Sequence, residues 1–366
     1  MPVVDGVRLR AVTLVHRDGT VALDRVDVAV EHGEILGLVG PSGSGKTSLL
    51  RVVAGLEKPE SGSVEIDGLD VTALPTARRD VAMIFQEIAL IPQRTAASNI
   101  SFPLEVRRVS EPGRSEAVER ERLRVGLGRA VLPRLPSQLS AGHRQLVAAG
   151  RALVRDPKVL LADEPLAHLD AEARRRARIE FLRIQRDASP ATLYATNDPA
   201  EAMTMADRVA VLNQGSIVQV GTPLEVYSRP SEVFVGRFFG LIPMNIIPAV
   251  LEGDWRDPQL RLGGDLVSLG RQAPAGLDDP VLVGIRPEHL RVAAPGTPFD
   301  RCLHGTVELV ESIGPHDLVR VRHAVGAITA RAEPGTAPGV GSAIEVMVVA
   351  RRHIRLFDPG TERALE

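Results

Sequence analysis

The chain holds one cysteine, Cys302, so no disulfide can close within it, and a reducing compartment suits it. The lone thiol reads as a small buried hydrophobe. Lysine is scarce as well: only Lys46, Lys58 and Lys158 occur, and arginine supplies nearly all other positive charge. No apolar run approaches the roughly 20 residues that span a bilayer as a helix. Neither sign of charge is in excess. The net charge is −2, which removes any global pull toward nucleic acid or anionic lipid, and there is no basic tract. Met1-Pro2-Val3-Val4-Asp5 lacks the basic and apolar stretches of a signal peptide, so a cytoplasmic location is expected. Repeats of solenoid length are missing too.

What is present is an ordinary globular composition, 44% apolar and 25% charged, over 366 residues. That length exceeds one ordinary core and predicts two domains. Residues 1 to about 236 alternate strand-like and helix-like segments, the pattern of a layered α/β domain. Apolar runs at 81–85, 159–162, 191–195 and 209–212 suit parallel strands covered on both faces. Residues 116–126 and 172–186 read as charged surface helices laced with Arg and Glu. Beyond about Phe239 the helical period fades. Short β-rich runs at 281–285, 307–310 and 344–349 follow, parted by Pro/Gly-rich joints at 273–280, 293–298 and 334–341, which predicts a small barrel.

The most informative stretch is Gly40-Pro41-Ser42-Gly43-Ser44-Gly45-Lys46-Thr47, which matches the phosphate-binding loop G-x-x-x-x-G-K-[ST]. A buried strand precedes it (Glu34 to Val39) and an amphipathic helix follows (Ser48 to Ala54). A strand passing through a glycine-rich turn into a helix aims backbone N–H groups and a positive dipole end at one point. Lys46 would reach the β- and γ-phosphates, and the Thr47 hydroxyl would ligate Mg²⁺. That one of only three lysines stands here fits the need for a compact point charge. Further on, Val159 to Ala162 run into Asp163-Glu164, two carboxylates at the carboxyl end of a strand, where α/β sheets bind ligands. Asp163 suits the Mg²⁺ shell, and Glu164 suits polarisation of an attacking water. Leu139-Ser140-Ala141-Gly142-His143 precedes a helix, with Ser140 as a plausible N-cap and small residues that leave the amides open to an anion.

Together these segments resemble the ATP-binding subunit of an ABC transporter, over residues 1 to about 236. The resemblance implies an α/β P-loop NTPase domain (1–236) with a helical subdomain at about 88–155. A smaller all-β domain of OB-like barrel type, a TOBE regulatory domain, would fill 237–366. By the same resemblance Gly40 to Thr47 and Ser48 hold ATP, Mg²⁺ is shared by Thr47, Gln86 and Asp163, and Glu164 is the general base. Gln86 is the Q-loop glutamine, and 167–170 form the D-loop. Ser140 and Gly142 would touch the γ-phosphate on a second subunit, in a homodimer or heterodimer. Glu87 to Asn99 would dock on a membrane partner through exposed apolar residues of Ile88 to Pro92.

Runs at 150–155, 163–166, 201–208 and 220–227, with Pro243-Met244-Asn245 and Gly284 to His289 in the tail, resemble the carbohydrate-importing, maltose-type branch. Importers of polyamines, iron or oxyanions share much of that tail. The implied partners are two permease subunits and an extracytoplasmic solute-binding protein, with no nucleic acid, at the cytoplasmic face of the membrane. The chain departs from the family at several points. Asn197 stands in Thr196-Asn197-Asp198 where the family has a switch histidine. Ala141, His143 and Leu146 replace a glycine, a glutamine and an arginine. The aromatic residue that would stack on adenine is missing, leaving His16 or Arg17 for that role. These departures leave two readings open: an energy-coupling ATPase, or a hydrolysis-impaired regulatory subunit beside a competent partner. A third, a soluble ABC protein acting on nucleic acid, is disfavoured by the tail and the absence of a basic tract.

Overall fold

The computed structural model describes residues 5–87, 89–167, 169–254, 256, 258–273, 280–293 and 302–365. The expectations for Ile88, for His168 and for most of the joints at 273–280 and 293–298 lie outside them. The chain divides into two compact units, Met1–Pro223 and Leu224–Glu366.

The first unit runs β1 (Asp5–Val15), β2 (Val21–Glu31), β3 (Ile35–Val39), α1 (Lys46–Ala54), β4 (Ser61–Ile66), β5 (Leu69–Asp70), β6 (Val81–Ile84), α2 (Ala96–Val106), α3 (Gly113–Arg124) and α4 (Ala141–Leu153). It continues through β7 (Val159–Asp163), α5 (Ala171–Ala188), β8 (Ala191–Thr196), α6 (Pro199–Met205), β9 (Arg208–Asn213) and β10 (Ser216–Gly221). Six strands form one sheet in the order β10-β9-β3-β8-β7-β6. All neighbours pair in parallel except β10 on β9.

The apolar runs are continuous because the sheet is covered on both faces, and alternate residues serve different cores. Leu36, Leu38, Val159, Leu161, Leu193 and Ala195 join the core that contains α1 and the β1–β2 hairpin. Ile35, Leu160, Ala162 and Tyr194 join the core on the other side, with residues of α2, α4 and α5. A second, antiparallel sheet, β2-β1-β4-β5, is an element that sequence reading did not anticipate.

In the second unit come α7 (Pro223–Ser228), α8 (Val233–Phe238), β11 (Asn245–Glu252), β12 (Gln259–Leu262), β13 (Asp265–Ser268), β14 (Val281–Ile285), β15 (Leu290–Val292), β16 (Cys302–Ser312), β17 (Asp317–His323), β18 (Gly326–Ala332), β19 (Ala343–Val348) and β20 (Arg355–Phe357). Five of its strands, β15-β18-β17-β16-β19, close into a barrel, and five more form a sheet ordered β13-β12-β11-β14-β20. The textural change near residue 236 falls inside this unit, because the two short helices group with the strands. Arg286 is one reason. Buried at 2% exposure, it donates to the Tyr227 carbonyl at 2.8 Å and the Gly236 carbonyl at 2.9 Å, and its guanidinium lies 4.0 Å from the Tyr227 ring centroid.

Candidate functional site

Parallel register brings the chemistry to one edge. Val39 of β3 pairs with Thr196 of β8, Ala195 of β8 with Asp163 of β7, and Ala162 of β7 with Ile84 of β6. The segments that leave the carboxyl ends of these strands therefore share one rim: Gly40 to Gly45 after β3, Gln86 after β6, Glu164 after β7 and Asn197 after β8. Such a rim is where open α/β sheets bind ligands.

The loop between β3 and α1 is shaped by its glycines. Gly43 and Gly45 take φ values of 80° and 106°, in the left-handed region that favours glycine. Lys46, at 5% exposure, closes the loop on itself. Its ammonium donates to the carbonyls of Gly40 at 2.8 Å and Pro41 at 2.9 Å, and to Ser44 Oγ at 3.4 Å. Burial lowers its pKa, while the charges of Glu164 and Asp163 pull the other way. Ser42 is exposed, and Ser48 sits half-buried in the first turn of α1. The loop is stitched from outside by one residue: Gly215, in the turn between β9 and β10, donates to the Ser44 carbonyl at 3.1 Å and accepts from Asp24 N of β2 at 2.9 Å.

The Thr47 hydroxyl donates to Asp163 Oδ1 at 3.1 Å, joining the phosphate-type loop to the end of β7. Burial raises the Asp163 pKa, opposed by that hydrogen bond and by Arg51 and Lys46. Glu164 follows with φ of 44°, a left-handed conformation that costs a non-glycine residue about 1–3 kcal/mol and clusters at functional sites. Its N–H donates to the Ala195 carbonyl at 3.0 Å. The amide of Asn197 donates to Glu164 Oε1. Thr47 with Asp163 and Asn197 with Glu164 are thus two bonded pairs whose carboxylates are consecutive residues, and the charges of both carboxylates act on Lys46. Gln86 emerges on the same rim with an exposed side chain.

The other predicted residues lie elsewhere. His16 and Arg17 are exposed in the β1–β2 turn, where His16 N donates to the Thr20 carbonyl at 2.9 Å. Ser140 caps α4, accepting from His143 N at 3.2 Å. Ala141 is exposed and Gly142 half-exposed, with open space where its Cβ would stand. Leu146 packs against the apolar core of α4 and α5.

The docking segment needs a correction. Leu90 is buried at 8% exposure and cannot serve as an exposed contact. Asn99 organises the turn before it, accepting from Ile91 N at 2.8 Å and donating to the carbonyls of Arg94 and Thr95 at 2.9 and 3.1 Å.

Sequence reading missed three features. Arg79 donates to the carbonyls of Val52, Val53, Leu74 and Thr72, Gln145 donates to the Pro165 carbonyl at 3.0 Å, and Glu201 is a buried carboxylate beneath Asn197. Only the last had a linear signal, an acidic residue in an otherwise apolar helix start.

A six-stranded mostly parallel sheet whose rim carries such a loop and a facing Thr47–Asp163 pair defines a nucleotide-binding cassette. The ABC transporter family model matches residues 23–167, and the TOBE domain model matches residues 283–357. The sulfoquinovosyl glycerol transport ATP-binding protein of Agrobacterium fabrum is 41% identical over 93% of this chain and 94% of that one. The trehalose/maltose import ATP-binding protein of Thermococcus litoralis is 39% identical over 98% of this chain and 99% of that one. An ATP-binding cassette solved as a post-hydrolysis dimer with ADP and Pi superposes with a TM-score of 0.53 at 28% identity, covering 59% of this chain and 98% of that one. The chain therefore belongs to the family of ABC transporter ATP-binding proteins.

Proposed function

We propose that this chain is the ATP-binding, energy-coupling subunit of an importer for a carbohydrate or a related polyol. The observation that carries the nucleotide part is the Thr47–Asp163 hydrogen bond. It places two hard oxygen donors side by side behind the loop, a donor set that suits Mg²⁺. Thr47 and Asp163, with Gln86 from the same rim, would hold the ion, which neutralises phosphate charge when bound. The loop amides and Lys46 would bind the β- and γ-phosphates. Glu164 would orient and deprotonate the attacking water. His16 and Arg17 are the adenine-side candidates. Ser140 and the Gly142 amide stand open at the start of α4 for the nucleotide held by a second subunit. ATP then favours the closed pair by contacts made only in that state.

The substrate class is supported by the roles of relatives, which include sulfoquinovosyl glycerol, sn-glycerol-3-phosphate and trehalose/maltose transport. Among the described residues no helix is long and apolar enough to cross a membrane. Transport would thus run through two permease subunits, fed by a solute-binding protein, with this chain on the cytoplasmic side.

A second reading, a hydrolysis-impaired regulatory partner, is favoured by one contact: Asn197 engages Glu164. An asparagine amide donates as a histidine does but takes up no proton at neutral pH. An amide spent on Glu164 is withheld from the γ-phosphate, and a preorganised donor missing at a transition-state charge costs about 10²–10³ in rate. The test is ATP turnover by the full-length chain with its membrane partners, compared with Asn197→His. A rise of about that size supports the slow-turnover reading. An unchanged rate in Asn197→His, with a wild-type rate stimulated by solute and lost in Glu164→Gln, supports the coupling ATPase alone.

A further inference from the structure

Beneath Asn197 lies a buried polar triad. Tyr194 and Thr196 sit two apart on β8 and share a face, while Glu201 belongs to the first turn of α6. Their exposures are 0%, 3% and 8%. The Tyr194 hydroxyl donates to Glu201 Oε1 at 2.8 Å, and the Thr196 hydroxyl donates to Glu201 Oε2 at 2.5 Å. The same Thr196 oxygen accepts from Asp198 N at 3.1 Å. Asp198 in turn caps α6, accepting from Ala200 N at 2.9 Å. The Tyr194 ring is held edge-on by Phe181 of α5, centroids 5.3 Å apart.

A carboxylate here is costly unless fully bonded, and an apolar side chain would fill the space at lower cost. Both its oxygens accept from hydroxyls. Asn197 is the residue between the two that this triad pins, Thr196 and Asp198. Its amide engages Glu164, whose own N–H is held by Ala195, the residue before Thr196.

We infer that Thr196, Glu201 and Tyr194 are positioning residues that set where the Asn197 amide, and through it the Glu164 carboxylate, stand in ATP hydrolysis. This rests on the reading of Glu164 as the base and Asn197 as its neighbour at the γ-phosphate. Thr196 is the hinge of the device, because its one hydroxyl serves both Glu201 and the backbone beyond Asn197.

The test is a kinetic cycle on the full-length chain. Thr196→Val keeps the shape and removes the hydroxyl. It should lower kcat by about ten- to a hundredfold, the cost of roughly 1 Å of misplacement, with KM for ATP unchanged. Thr196→Ser should restore the rate. In an Asn197→Ala background Thr196→Val should add no further loss, since the group it positions is gone. Tyr194→Phe is the second probe should Thr196→Val fail to fold, with the same expected pattern. An unchanged kcat, or a loss of equal size in both backgrounds, overturns the positioning role. Glu164→Gln separates the two levels. If it turns over like the wild type, the reading of Glu164 falls and takes the network with it. If it is inactive while both network variants keep wild-type kcat, the network alone falls.

Discussion

A Cβ added at Gly40 would stand 2.3 Å from the Leu212 carbonyl oxygen and 2.5 Å from Ser44 Oγ, with no flexible tip to yield at the first. Gly40→Ala should therefore push the loop out of shape, and isothermal titration should show ATP affinity falling by at least tenfold, about 1.4 kcal/mol. At Gly43 nothing lies within 4 Å, so Gly43→Ala should suffer only through its left-handed backbone, by about 1–2 kcal/mol in chemical denaturation. The motif fixes Gly40 and leaves Gly43 open, but only the fold shows that the first is held by contact and the second by backbone conformation. The same holds for Lys46, Thr47 and Asp163. Their types and order are legible in the chain, but the hydrogen bond from Thr47 to Asp163 depends on strands that meet only in the folded sheet. What Glu201 bonds to was illegible for a sharper reason. Its partners, Tyr194 and Thr196, belong to a strand that reads as plain β structure, and burial alone turns three ordinary residues into a network.

Helix α1 begins at the loop and ends on Arg79, which shows what an element needs beyond its own sequence. The guanidinium, at 3% exposure, meets the carbonyls of Val52 and Val53 at 2.8 and 3.1 Å and those of Leu74 and Thr72 at 2.8 and 2.9 Å. A cation at a helix C-terminus also answers the helix dipole. Arg79→Met should orphan these acceptors and cost about 1–3 kcal/mol for each one left dry, read by urea denaturation. For α4, Ser140→Ala removes the acceptor for His143 N and should cost about 1 kcal/mol. Strand positions were largely readable where the apolar run is unbroken, as in β7 and β8. The β1–β2 hairpin was not, because register shifts between Leu9 and Val12 and between Val12 and Leu14 break the alternation of its apolar residues.

For the molecule as a whole, the second unit carries a separate pH dependence. Asp265 of β13 is pushed up by burial, yet its pKa is lowered overall by the His304 N–H and by the rings of His323 and His304. Those rings lie 2.8 and 2.7 Å away, on β17 and β16, and Glu345 of β19 stands 3.7 Å from His304. A carboxyl whose folded pKa is lowered stabilises the fold above its unfolded value of about 3.9. That stability drains as pH falls below about 5 and is gone beneath the folded pKa. Thermal melts from pH 7 to 2.5 should show the loss, and Asp265→Asn should melt lower at pH 7 with a shallower acid limb. The first unit has its own whole-fold dependency at Gly215. A surface turn is normally the place to insert a tag or cut a chain without consequence. This one pins the loop at Ser44 to β2 at Asp24, so lengthening it should weaken nucleotide binding from outside the pocket, an effect that titration of ATP against the lengthened variant would read.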